Sequence, residues 1–346
     1  MKHSARFSRP VLILLLAALL IPIVSCSLLP NSTSTSEPVQ IIAEPTYSPD
    51  TITRQYEWHY GGKEWQWALA IPQSLYDYYV ERPRAMTQDY SIYVTHPSDD
   101  DYIDTLIDRI EEVAADEGYD EIETVNFAVS FVQSLPYATD DVTTAYDEYP
   151  RYPIETLVDN GGDCEDTSIL MAAILHQMGY GSVLLSLPNH MAVGVLGGEG
   201  IAGTYWPHND GEYYYLETTG SGWEIGELPP EYEGLSASIY DIAPVPILTA
   251  DWSAQSSSFG KTSLTITVEN LGTAAAADVY IYAAFDAGGG MVWNAGESDL
   301  FNLGVDQSVT ISMQLDTPKN EYTRLIVQIV DDGYAVDTSY SEWFDT

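Results

Sequence analysis

The chain has 346 residues, 45% of them hydrophobic and 12% aromatic, which is enough to bury a large core and excludes global disorder. Its 52 acidic residues against 12 basic ones give a net charge of -40. That balance argues against nucleic acid and anionic membrane surfaces as partners, since both select clustered Lys and Arg.

In chain order, Lys2, Arg6 and Arg9 precede an uncharged apolar run from Val11 to Val24. The run is short of the roughly 20 residues a membrane span needs and suits the apolar part of an export signal. It ends in Ile23-Val24-Ser25-Cys26, which resembles the lipobox of prokaryotic lipoproteins. The resemblance implies cleavage after residue 25, lipid on Cys26 and anchoring to the outer face of the cytoplasmic membrane. Residues 26–50, rich in Ser, Thr and Pro, are expected to be a tether.

The folded part opens with Tyr56, Trp58 and Tyr60 alternating on one face, then Gly61-Gly62, then Trp65 and Trp67, a hairpin pattern. Apolar periodicity predicts helices over Asp100–Glu117 and Glu121–Ser134. Asp99-Asp100-Asp101 and Asp104 read as the start of the first helix, capped by Ser98 or Asp99 with acids in its first turn, rather than as a metal site. No Cys or His cluster has zinc spacing, so neither a metal nor another cofactor is expected. A third helix runs from Cys164 to Met178, with Ile169, Leu170, Ala173, Ile174 and Met178 inward and Gly179 as its stop. Strands are expected over Ser182–Leu187, His190–Leu196 and Glu212–Glu217. The order predicts an α+β domain over residues 51–243, a helical half plus an antiparallel sheet. From residue 244 to 346, alternating runs such as Leu264/Ile266/Val268 and Leu325/Val327/Ile329 predict a β-sandwich. The stretch Thr265 to Thr273 resembles Ig-like adhesion-associated domains.

With Cys26 lipidated, Cys164 is the one thiol left, and exported chains normally pair their cysteines or lack them. Gly161-Gly162 lets the backbone bend into the helix that Cys164 opens. A helix N-terminus favours a thiolate and can hold an oxyanion. Asp163, Glu165 and Asp166 oppose this, but as exposed acids they act weakly, and an adjacent imidazolium is expected to outweigh them. Of the six histidines, His190 opens an apolar strand at a sheet edge, where its ring can face a helix N-terminus. Glu217 ends an aromatic strand in an apolar setting and is favoured over Glu212 as the acid that holds the imidazole.

The Gly161-Gly162-Asp163-Cys164-Glu165-Asp166 motif, Asn189-His190-Met191-Ala192-Val193 and Tyr215-Leu216-Glu217-Thr218-Thr219 occur in that order. Together they resemble the transglutaminase-like (papain-type) superfamily of cysteine enzymes over about Glu121 to Gly220. The resemblance implies a papain/transglutaminase-like core with Cys164 as nucleophile, His190 as base and Glu217 as the third member, where the family usually has Asp. Gln133 is an additional oxyanion candidate, beside the plainer reading of an exposed helical Gln. The implied reaction is attack on an amide of a protein or peptide outside the cell, through an acyl-thioester completed by water. The alternatives are transfer to an amine in protein crosslinking, and a catalytically inactive surface binding protein.

Overall fold

The computed structural model describes residues 40–41, 50–85, 87, 89–140, 149–198, 201–257 and 259–346. The expected signal peptide, Cys26 and most of the tether lie outside them. Gln40–Ile41 (β1), within the expected tether, pairs parallel with the second strand of the hairpin Thr51–Tyr60 (β2) and Lys63–Pro72 (β3). The hairpin turns at Gly61 and Gly62, both at positive φ, and places Trp58 opposite Trp65 and Tyr56 opposite Trp67.

Six α-helices follow among the described residues: Gln73–Glu81 (α1), Ser91–Val94 (α2), Asp100–Glu117 (α3), Glu121–Val132 (α4), Pro153–Asp159 (α5) and Cys164–Gln177 (α6). The starts of α3 and α4 fall where the apolar period puts them. In α4, Asp120 and Glu123 cap each other's backbone N–H at 2.9 Å. In α3, Asp99 makes no side-chain cap; its buried carboxylate instead accepts from Tyr79 Oη at 2.9 Å. Helices α1, α2 and α5 are too short to show a period of their own.

Strands Ser182–Leu187 (β4), His190–Leu196 (β5), Tyr205–His208 (β6), Gly211–Leu216 (β7) and Ser238–Asp241 (β8) form one antiparallel sheet in the order β6-β7-β5-β4-β8. A single core joins Trp58 and Trp65 of the hairpin, Phe127 and Phe131 of α4, the α6 run from Ile169 to Leu175, and Val193 and Leu216 of the sheet. Every residue from Asp166 to Leu175 is buried, so α6 is a central helix covered all round rather than on the one face its sequence suggests.

The α+β expectation, a helical half plus a papain/transglutaminase-like sheet, is overturned. Strands take 42% of the described residues and lie in several antiparallel sheets, so the chain is mostly β. The helices form no half of their own because their apolar faces share one core with strands. The aromatic hairpin covers α4 and α5, and β4 and β5 cover α6.

The C-terminal region packs two sheets. Leu248–Ser257 (β9), Lys261–Asn270 (β10) and the later strand Ser308–Asp316 (β14) make the first. Ala276–Gly288 (β11), Met291–Glu297 (β12) and two further strands make the second, with Phe301–Leu303 (β13) on the edge of β11. The later strands are Ser308–Asp316 (β14), Leu325–Asp331 (β16) and Tyr334–Tyr340 (β17); Tyr322–Thr323 (β15) pairs with Phe344–Asp345 (β18). Leu264, Ile266 and Val268 face Val279, Ile281, Val327 and Ile329 in its core. This region docks on the first through Arg82, which donates to Leu271 O at 3.0 Å and pairs with Asp306, and through Thr95 against Thr273 at 2.8 Å. Residues Val39–Thr346 form one compact unit.

Candidate functional site

Cys164 owes its position to the two glycines before it. Gly161 sits at φ 145, and a Cβ there would overlap Pro136 O, while one on Gly162 would overlap the Asp166 carboxylate. This closeness lets the extended segment at Pro136–Ala138 bond Gly162 on both sides, at 3.3 and 2.9 Å. Beneath the turn, Asp166 accepts from Asp163 N at 3.2 Å and Arg151 N at 2.8 Å, and also pairs with the Arg151 guanidinium. Arg151 pairs further with Asp140 at 2.9 Å and Asp159 at 3.2 Å.

The Cys164 thiol is half-buried and donates to Glu165 Oε2 at 3.1 Å. Burial pushes its pKa up, and the neighbouring Glu165 and Asp163 push it further, against the effect of a backbone hydrogen bond from Met191. The flanking acids are thus not the weakly acting exposed groups the sequence suggested: Asp163 is 8% exposed and Asp166 0%. In a dry setting the same charges act far more strongly.

His190 is placed by a two-residue turn, Pro188-Asn189, whose Asn sits at φ 59, so that His190 is the first residue of β5 and pairs with Leu187. Its Nε2 contacts Glu217 Oε2 at 3.0 Å, and its ring stacks on Tyr232 with centroids 4.6 Å apart and planes 6° from parallel. Glu217 follows β7 and is 2% exposed. Tyr215 Oη donates to its Oε2 at 2.6 Å; Thr218 N, Thr219 N and Thr219 Oγ1 donate to its Oε1 at 3.0, 2.9 and 2.6 Å. Burial alone would raise this carboxyl, but the His190, Thr219 and Tyr215 hydrogen bonds and the His190 charge outweigh it and hold it at about 2. Glu212 is exposed, and its carboxylate meets Tyr214 Oη at 3.3 Å and the Tyr205 hydroxyl, away from His190.

The structure therefore brings Cys164 and His190 into one cleft of about 400 Å³, with Glu217 behind the imidazole. It does not bring Gln133 there. That residue is buried rather than exposed; its amide donates to Glu217 O and Trp223 O at 2.9 and 3.0 Å and accepts from Gly222 N at 3.0 Å. Both its N–H donors are used to brace the segment that carries Glu217, so the oxyanion expectation for Gln133 is corrected to a supporting role. Sequence reasoning also passed over Thr167, Ser168 and Thr218, whose hydroxyls bond one another at 2.9 and 3.1 Å and tie α6 to the end of β7. Two hydroxyls one turn into an apolar helix were the available signal. Tyr232 left none.

Three carboxylates on the same side, Asp140, Asp163 and Glu165, bring oxygens within 4.8 Å of one another. As an all-oxygen set they would suit a hard cation such as Ca²⁺ or Mg²⁺ rather than zinc.

No family model and no curated protein matches the chain. Among solved structures it is similar to calcium-bound LapG of Legionella pneumophila, at 20% identity over 39% of this chain and 87% of that one, TM-score 0.25. It is also similar to the CARDB domain of a Pyrococcus furiosus protein, at 13% identity over 29% of this chain and 92% of that one, TM-score 0.22. A β-glucuronidase of glycoside hydrolase family 2 matches at 13% identity over 27% of this chain and 10% of that one, TM-score 0.22.

Proposed function

We propose that this protein is an exported thiol enzyme that cleaves amide or peptide bonds through Cys164, His190 and Glu217. The observation that carries the reading is a charged, buried Glu217 bonded to His190 in the cleft that Cys164 lines. In the first step the Cys164 sulfur bonds the carbonyl carbon, its proton passes to His190, and the C=O electron pair moves onto oxygen. Collapse expels the amine, which takes the proton from His190, and leaves an acyl-thioester. Water, deprotonated by His190, then releases the acid and restores the thiol. Glu217 holds the ring and stabilises the imidazolium at each stage. Because burial and Glu165 keep the resting sulfur protonated, proton transfer accompanies attack rather than preceding it. Water is the default acceptor; an amine in its place would make the protein a crosslinking enzyme.

One observation favours a second reading, an idle surface binding protein: the thiol rests on Glu165, and its pKa is raised rather than lowered. Alkylation of Cys164 by iodoacetamide, located by mass mapping, separates the two. Cys164→Ala abolishes labelling in the domain. His190→Ala and Glu217→Gln should each slow it by about tenfold or more near neutral pH, since the base or its orienting charge is lost. Glu212→Gln changes little. Rates indifferent to His190 and Glu217 would falsify the enzyme reading.

The export reading belongs to the same proposal: residues 1–25 are removed and Cys26 carries lipid. No helix among the described residues is long and apolar enough to cross a membrane. Cys26→Ser should release the protein from the detergent phase or leave residues 1–25 uncleaved; unchanged processing together with unchanged partitioning would remove the lipid anchor.

A further inference from the structure

His190 is held at two places, and the triad accounts for only one of them. Its Nε2 meets Glu217 Oε2 at 3.0 Å, which fixes one nitrogen and leaves the tilt of the ring to be set by something else. The second contact is with an aromatic face. Tyr232 lies against the imidazole with centroids 4.6 Å apart and planes 6° from parallel, and the His190 side chain is only 7% exposed. The backbone around Tyr232 is stiff. Pro229 and Pro230 fix φ at the start of the short 3₁₀ turn Pro230–Tyr232, and Tyr232 N bonds Pro229 O at 3.0 Å. The Tyr232 side chain also packs against the cluster of Val183, Leu185 and Tyr215, so the ring is brought to His190 by the fold rather than left loose on the surface.

We infer that Tyr232 is a positioning residue of the thiol chemistry, whose ring face orients the His190 imidazole and stabilises the imidazolium formed when Cys164 gives up its proton. The inference rests on the thiol-enzyme reading and adds a fourth side chain to it. With Nε2 on Glu217, Nδ1 is the nitrogen left to take the proton, and the positive charge then spreads over the whole ring. An aromatic face is negative, so a stack that neutral imidazole merely tolerates attracts imidazolium. The sulfur sets the need. Burial and Glu165 keep Cys164 protonated at rest, so His190 takes the proton during attack, and a more stable imidazolium lowers that barrier. The acidic groups around the ring are Cys164, Asp163 and Glu165 at the start of α6, Asp140 across the cleft, Glu217 behind it and Glu231 beside Tyr232. Tyr137, Tyr215 and Tyr232 are pushed above their ordinary range and stay neutral. All of these but Tyr232 remain when residue 232 is changed, so a substitution there isolates the ring face.

The test uses the full chain with isotope-labelled histidine and follows the imidazole signals by NMR as the pH is raised. His190 is assigned by the signal lost in His190→Ala. Tyr232→Phe keeps the face and should keep the parent's His190 midpoint. Tyr232→Leu removes the face and should lower the midpoint by about half a unit to one unit. Tyr232→pentafluorophenylalanine keeps the shape and the stack but reverses the ring's quadrupole, so it should lower the midpoint at least as far. It also keeps the test decisive if Tyr232→Leu fails to fold. Near neutral pH, iodoacetamide should alkylate Cys164 about threefold more slowly in Tyr232→pentafluorophenylalanine than in Tyr232→Phe, because the weaker base takes the proton less readily.

Midpoints that agree across the parent and all three variants make Tyr232 a packing residue and overturn the proposal. A fall in Tyr232→Phe as large as that in Tyr232→Leu assigns the effect to the hydroxyl and overturns it as well. Equal midpoints in Tyr232→pentafluorophenylalanine and Tyr232→Phe show that the ring acts by shape alone, and the stabilising role falls. The reading beneath is tested by a different comparison. If alkylation of Cys164 slows in His190→Ala while the midpoints ignore residue 232, the enzyme stands without Tyr232. If alkylation ignores His190, the enzyme reading falls and takes the proposal with it, whatever the midpoints do.

Discussion

Both halves of the folded chain are built on strands with alternating apolar residues, yet they bury different things. The region before residue 244 buries Arg82, His96, Asp99, Asp140, Arg151, Glu155, Asp163, Asp166 and Glu217. The region after it, among the described residues, buries no charged side chain; its buried polar groups are Thr262, Asn270, Thr273 and Thr323. Even there two of the four, Asn270 and Thr273, serve the junction. Asn270 accepts from Ile247 N and Gly272 N at 3.2 and 3.0 Å and so shapes the loop that meets Arg82. A buried charge destabilises unless it is paired, so a fold retains many of them only where they do something a hydrocarbon cannot. The comparison teaches that the first region holds the buried charges, those of the candidate site among them, whereas the second is held by ordinary hydrophobic burial.

The contrast can be tested by substitution. The largest effect is expected at Arg151, whose removal as Arg151→Ala strands Asp140 and Asp166 in the interior. A loss of about 3–5 kcal/mol in urea unfolding follows from breaking a buried ion network. A loss below about 1 kcal/mol, the range of a surface pair, would erase the distinction between the regions.

Next comes Asp99, whose carboxyl burial pushes up to about 7 from 3.8 and whose Oδ2 has no partner. A raised folded pKa contributes stability that is complete below about 3.8 and is lost as the pH rises through about 7. Asp99→Asn keeps the shape and cannot ionise, so it should exceed the parent in stability by about 1–3 kcal/mol at about pH 8, with the gap closing toward pH 4. Glu217 runs the other way. Its depressed pKa contributes stability above about 4.5, lost as the pH falls toward about 2. Thermal melts of Asp99→Asn parallel to the parent at every pH would contradict the assignment.

The smallest effect belongs to the second region. Ile266→Val removes one buried methylene equivalent and should cost about 1 kcal/mol. It should leave alkylation of Cys164 unchanged. A change in that rate would show that the two regions are coupled through the Arg82 junction.

How much of this was legible depends on the range of the signal. Helix α3 and strand β10 follow local periods of 3.6 and 2, and β4 and β5 are short apolar runs bounded by turns, signals that survive in any tertiary setting. The Gly161-Gly162 bend before Cys164 and the Pro188-Asn189 turn before His190 are equally local. Gln133 was misread because its partners at Glu217, Gly222 and Trp223 lie 84 to 90 residues away. Tyr232 was missed because stacking on His190 depends on a crossover that no pattern announces. The fold class was misjudged because helices were counted as elements, whereas their burial is decided by the sheets on either side.

By itself the sequence determined that Cys164 would open a helix and His190 a strand, since turn chemistry and side-chain period act over a few residues. Only the tertiary structure decided what the acids around them are. Glu217 and Asp163 are both buried carboxylates of the candidate site, one behind the imidazole and one beside the thiol. Glu217 receives donors from Tyr215, Thr219 and His190 and is held ionised; Asp163 is buried against Glu165 with an oxygen unmet and is pushed toward its neutral form. The charge of a buried carboxylate follows from the donors that the fold turns toward it; Tyr215 and Thr219 are two residues from Glu217 but reach it only in the folded loop, and His190 arrives from 27 residues away.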